Sequence, residues 1–234
     1  MKTKVFISVI LILVSFFAAC EKEPHKSKKS NFESPEEFLE NPSVQNAINE
    51  SDMPIYYGKT PPVLSGKYST DGSVTDASSV VSELIGLPIT STITLYNQTA
   101  SGKISFKEEI SGIVAWGTGG YIIGENGKFS IFQESLQNGE EAGLPSDLSI
   151  TVILVMSGTK YSQGDLIAKG ISIITKATSP NSEDYDLEAL ENVWWMWEAD
   201  FYLEGPASKS SLASAHSLYF PDEIKEIIRN FKLK

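Results

Sequence analysis

Residues 148–178, LSITVILVMSGTKYSQGDLIAKGISIITKAT, decide the fold. Two runs rich in Ile, Val, Leu and Thr flank Gln163-Gly164-Asp165, which is turn chemistry with a glycine available for positive φ. The first run is apolar at both parities: Ile150, Val152, Leu154 and Met156 alternate with Thr151, Ile153 and Val155. Because successive side chains of a strand point to opposite faces, this strand is expected to be covered on both sides.

The same β signal extends outward in both directions. Strands are expected over 63–69, 89–97, 102–109, 113–116, 121–123, 128–136, 148–159, 166–178 and 193–203, joined at Ala100-Ser101-Gly102, Thr118-Gly119-Gly120 and Glu125-Asn126-Gly127. Long helical segments between the runs are missing, so the strands form an antiparallel meander and not a βαβ fold. Ile104 and Phe106 alternate with Lys103, Ser105 and Lys107, and Phe129 and Ile131 with Lys128 and Ser130, which predicts one wet face. In 193–203 the set Trp195, Trp197, Ala199, Phe201 and Leu203 is expected to point inward, opposite Trp194, Met196, Glu198, Asp200 and Tyr202. A meander with one apolar face must close or fold over to hide it, so the fold class is mainly β, either a single antiparallel barrel or a β-sandwich.

Helices are expected at the margins. Ser34-Pro35-Glu36-Glu37 places an N-cap residue, a first-turn proline and an acid ahead of Phe38 and Leu39. Asn41-Pro42-Ser43 interrupts, and Val44, Ala47 and Ile48 share one face of a second short piece, expected to lie as a lid on the following domain. A C-terminal helix opens at Pro221-Asp222-Glu223 with Ile224, Ile227, Ile228 and Phe231 on one face.

The N-terminus carries targeting chemistry. Lys2 and Lys4 precede an apolar run over 5–17, then Ala18-Ala19 stands directly before the only cysteine, Cys20. The run is short of the roughly 20 residues a bilayer-spanning helix needs, and the pattern is that of a secretory signal peptide. Phe17-Ala18-Ala19-Cys20 resembles the lipobox of bacterial lipoproteins. That resemblance implies cleavage before Cys20, acylation of its thiol and new amino group with chains such as palmitate, and lipid anchoring in the cell envelope, on the outer membrane. The division expected is a signal peptide over 1–19, a lipidated tether over 20–33, a short helical segment over 34–62 and a β domain over 63–234. Residues 21–31, EKEPHKSKKSN, hold no apolar side chain to bury. Gly66-Lys67-Tyr68 on the first strand, the hairpin meander and the helix after the last strand together resemble the lipocalin-like barrels. Membership there would imply an interior that binds a small apolar molecule.

Composition narrows the function classes. With 30 acidic and 19 basic residues in 234, a net charge of −11 and pI near 4.7, phosphate-reading of nucleic acid is disfavoured. One cysteine and two histidines leave no disulfide framework or ordinary zinc set. His25 sits on the tether, and His216 lies in a serine-rich connection without a nucleophile elbow. Gly117-Thr118-Gly119-Gly120 lacks the Lys and Ser/Thr of a phosphate cradle and reads as a hairpin turn. Glu183, Asp184, Asp186, Glu188 and Glu191 lack calcium-loop spacing and read as a solvated acidic loop. Glu198 and Asp200 are roughly 7 Å apart by strand rise, a separation that a carboxylate-based glycoside hydrolase permits, and that alternative stays open beside the reading as alternate acids on a wet strand face.

The expectation is therefore a non-enzymatic protein with no cofactor, metal or catalytic residue. It is an envelope-anchored barrel that binds or carries a small apolar ligand through Trp195, Trp197, Phe201, Leu203, Phe106 and Phe129. The alternative is a structural or adhesion module whose core those side chains fill. Lipidation at Cys20 is directly testable: Cys20→Ser is expected to abolish incorporation of a fatty-acid analogue and to leave a soluble or uncleaved chain. Label retained in the membrane fraction would refute the anchor.

Overall fold

The computed structural model describes residues 30–70, 73–79, 88–89, 91–110, 113–138, 147–181 and 187–204. The signal sequence with Cys20, both histidines, Glu183, Asp184, Asp186 and the expected C-terminal helix lie outside the described residues. Ten antiparallel segments make up the sheet: β1 (Gly66–Ser69), β2 (Ser73–Ser78), β3 (Pro88–Ile89), β4 (Ser91–Tyr96), β5 (Lys103–Ile110), β6 (Ile113–Glu125), β7 (Lys128–Asn138), β8 (Ser149–Lys160), β9 (Leu166–Thr178) and β10 (Trp194–Leu203).

From β4 to β10 each strand pairs with the next in sequence. The far edge of β10 is taken by β1, with Tyr68 opposite Leu203, and further along by β2, with Val74 opposite Glu198 and Ser78 opposite Trp195. On their other side β1 pairs with β4 and β2 with β3. The pairs β1–β2 and β3–β4 therefore act as two interrupted staves, and the sheet closes as an eight-stranded up-and-down barrel. Closure, and not a sandwich, is how this meander hides its inward face.

Sequence chemistry explains most of the corners. Asn126 (φ 54°) and Gly127 (φ 80°) are both left-handed, as a type I′ hairpin turn requires. Gly102 (φ 77°) and Gly164 (φ 105°) serve the neighbouring turns at the same end. The expected turn at Thr118-Gly119-Gly120 is corrected: these residues lie inside β6, a single 13-residue strand. Gly119 (φ 77°) instead sits beside a register shift against β5, between Ile104 and Phe106, so the glycines make a bulge and not a reversal. The first strand begins at Gly66 and not at Val63, and the polar run of β2 gave no alternation to read.

The apolar residues at both parities of β8 find two cores. Leu154 and Met156 pack inside with Ile93, Phe106, Ile131 and Trp197. Ile153 and Val155 pack outside with Phe132, Ile171, Ile173 and Met196, under two helices. These are α1 (Pro35–Glu40), capped by the Ser34 hydroxyl accepting from Glu37 N–H, and α2 (Pro42–Ser51), capped by Asn41 accepting from Ser43 and Val44 N–H. Phe38, Val44 and Ala47 face the sheet and are fully buried. The two helices are thus the cover that the sequence of β8 required.

That cover changes two expectations about the wet face. Trp194 and Met196 are buried beneath the helices, with Trp194 Nε1 donating to the Glu50 carboxylate at 3.0 Å. Ser130 is also buried, sharing a hydrogen bond with Ser157 (2.7 Å) and accepting from Tyr56 N–H (2.8 Å) where residues 53–60 cross the outside of the barrel. The tether is corrected as well. Asn31 donates to the Glu134 carboxylate from both backbone and side chain, Phe32 stacks on Phe38 at 4.1 Å, and Tyr121 donates to the Glu33 carbonyl, so 30–33 belongs to the folded body. No described helix is long and apolar enough to cross a membrane.

Because Phe38 is the centre of the helix cover, Phe38→Ala is expected to cost about 3–5 kcal/mol. Urea denaturation checks it, and a loss below about 1 kcal/mol would show that the helices are not integral to the fold.

Candidate functional site

The barrel interior divides along its axis into two unlike halves. At one end, residues before β1 fold inward and Leu64 plugs the barrel, held by its N–H donating to Gln98 Oε1 at 2.7 Å. The Tyr68 hydroxyl donates to the Leu64 carbonyl at 2.9 Å. Burial, and secondarily the charge of Asp165, push the Tyr68 phenol up to about 12, so it remains a donor throughout the ordinary pH range. Around them Leu95, Ile104, Ile122, Phe129, Leu166 and Phe201 are at most 1% exposed, which is a packed end.

Toward the other end the wall loosens. Val152, Leu154, Ser172, Ile174 and Trp197 retain 5–8% exposure, and Trp195 is only partly buried. The short helix α3 (Leu187–Leu190) lies over this end, where Leu190 packs with Ile150, Val152, Ile174 and Ala177. Trp197 is held flat against the wall because its neighbour on β9 is glycine. A Cβ on Gly170 would fall 2.0 Å from the indole, and Phe201 meets the same ring edge-on at 5.8 Å.

Of the six residues expected to line a ligand site, five face the interior, though not one common space. Phe129 and Phe201 belong to the packed end, Phe106 to the middle, and Trp195 and Trp197 to the looser half. Leu203 sits at the rim of the packed end, 39% exposed, where it lies over Gly66 and Gly164. The strand's inward parity continues to Leu203, the last residue of β10, which is paired with Tyr68 of β1 where the pairing with β9 has already ended at Phe201.

Two polar side chains occupy inward positions that the sequence reading passed over. Glu108 follows Ile104 and Phe106 at the next inward parity of β5, opposite the fully buried Ile93. It keeps partial solvent contact, and no described hydrogen-bond donor or cation reaches its carboxyl. Burial in this apolar wall raises its pKa to about 7. Gln133 follows Phe129 and Ile131 on β7 in the same way and is 1% exposed. Its amide group lies over Gly117 and Gly120 of β6, where any Cβ would collide with it. Nε2 donates to the Glu134 carbonyl at 3.0 Å, and Oε1 has no partner. The signal for both was present, since extending each alternation by one inward step reaches them.

The remaining candidates sit apart. Glu198 pairs with Lys169 at 3.2 Å on the outer face, with Asp200 exposed nearby. Glu191 accepts from Ala177 N–H at 3.2 Å, a structural contact at the β9 end. Among the described residues no three His, Cys, Asp or Glu side chains gather as a metal site. No family model, curated protein or solved structure matches this chain.

The Glu108 carboxyl has a measurable signature. An unfolded glutamate ionises near 4.5 and the folded one near 7, so between these pH values the folded chain holds the extra proton. Stability from this group is therefore greatest below pH 4.5 and falls as pH rises to 7, by up to about 3 kcal/mol. Glu108→Gln is expected to flatten that part of the stability profile, and unchanged pH dependence in the variant would refute the assignment.

Proposed function

We propose that this protein is an envelope-anchored lipoprotein whose barrel binds or carries a small apolar ligand in the half of its interior lined by Trp195, Trp197, Leu154, Val152 and Ile174. The observation that carries the reading is the gradient of burial along the axis, from complete at the Leu64 end to incomplete at the Trp195 end. Ligand sites are mainly apolar with a few placed polar groups, and this half supplies an apolar aromatic wall with Glu108 and Gln133 in it. The eight-stranded meander supports the likeness to lipocalin-like barrels at the level of architecture, which by itself assigns no ligand. The signal-like N-terminus ending at Cys20 supports attachment through acyl chains, each buried methylene contributing about 0.8 kcal/mol.

A second reading, a structural or adhesion module with a filled core, is favoured by the complete burial of Ile93, Phe129, Ile131 and Met156. Truncation and extraction separate the two. In the carrier, Trp197→Ala is expected to cost less than the roughly 3–5 kcal/mol of a filled core, and lipid is expected to co-purify with the chain. The full truncation penalty with nothing extractable and no tryptophan fluorescence response to hydrophobic probes would leave the filled-core reading.

A further inference from the structure

We propose that the interior site selects an apolar molecule whose polar end donates hydrogen bonds, an alcohol or an amine, and discriminates against a fatty-acid carboxylate. The inference rests on the carrier reading above and concerns the end of the ligand that meets Glu108 and Gln133. Both side chains project from inward parities of β5 and β7, each one step beyond a pair of buried apolar residues. The strand between them, β6, carries glycine at 117 and 120, and the missing side chains are the space the Gln133 amide occupies. Gly117 pairs with Phe106, and Glu108, two residues further along the same face, pairs opposite Ala115, so the two polar groups occupy one region of the wall.

What these groups offer is acceptor capacity. With Nε2 of Gln133 committed to a backbone carbonyl, Oε1 is a buried acceptor without a donor. The Glu108 carboxyl, at an inward parity of β5, is likewise without any described donor or counter-charge, and the residue is only partly buried. A buried acceptor left unpaired is destabilising, and a donor brought by a ligand relieves it; Glu108 is partly accessible to such a donor, whereas Gln133, 1% exposed, must first swing its amide off Gly117 and Gly120. An ammonium group adds a charge-assisted bond to the carboxylate. A carboxylate ligand in the same place would set two like charges together in an apolar wall. No arginine or lysine occupies an inward position among the described core residues to reverse that preference.

The test compares three probes of one chain length, 1-decanol, decylamine and decanoate, titrated against the purified chain at pH 8 with tryptophan fluorescence as the readout. Decanol and decylamine are expected to saturate a single site at least tenfold more tightly than decanoate. Glu108→Gln, nearly isosteric, is expected to weaken decylamine at least tenfold while leaving decanol within a few-fold. Decanoate binding as tightly as the other two, or decylamine unaffected by Glu108→Gln, overturns the head-group preference while the carrier reading stands. If none of the three binds, the carrier reading falls and this inference with it. The ranking on the unsubstituted chain decides the matter even if the variant does not fold.

Discussion

Closure along β10 is the constraint on which the rest of this structure depends. Every backbone N–H and C=O of a sheet edge needs a partner, and an open meander of this length would expose two such edges. Here β9 occupies one side of β10, while β1 and β2 share the other. The contact with β1 is only two residue pairs long, and side chains reinforce it. Ser69 donates to the Glu204 carboxylate and Lys67 pairs with it at 2.9 Å. The Ser69 hydroxyl holds that carboxyl below its ordinary range, burial opposes it, and the hydrogen bond and charge of Lys67 add to the lowering. Once the seam is closed, the inward side chains described on the staves turn away from bulk solvent, completely at the Leu64 end and less so toward Trp195.

A closed barrel hides one face of its strands, and here five strands carry an apolar outer face too. The α1–α2 pair and the segment 53–60 supply the second layer, so the protein has a core inside the barrel and another between barrel and helices. The hydrogen bonds that fasten this layer run between distant parts of the chain, from Asn31 to Glu134 and from Trp194 to Glu50. The two ends of the inner core are filled to different degrees. Leu64 and the tyrosine that holds its carbonyl plug one end, and the aromatic and polar residues of the proposed site stand in the other. Placing Glu108 and Gln133 in that wall costs stability.

The mainly β, antiparallel class of the fold and the inward facing of several side chains were legible in the amino-acid sequence. Alternation placed Ile104, Phe106, Phe129, Ile131, Trp195, Trp197 and Phe201 inward, because parity along a strand is a local property of the backbone. The double-sided apolarity of 148–156 required a cover, and the Ser34 cap and the Val44, Ala47 and Ile48 face marked the helices that provide it. Only the tertiary structure decided between barrel and sandwich, because that choice is made by the pairing of β1 and β2 with β10, more than 100 residues away, and no local pattern encodes a partner. It likewise decided that Gly119 bends a strand and does not reverse it, that Leu203 stands half-exposed at the rim of the wall, and that Ser130 is buried by a crossing segment. Parity tells which face a side chain takes, but where the wall ends and what lies against it are set by contacts between residues remote in the chain.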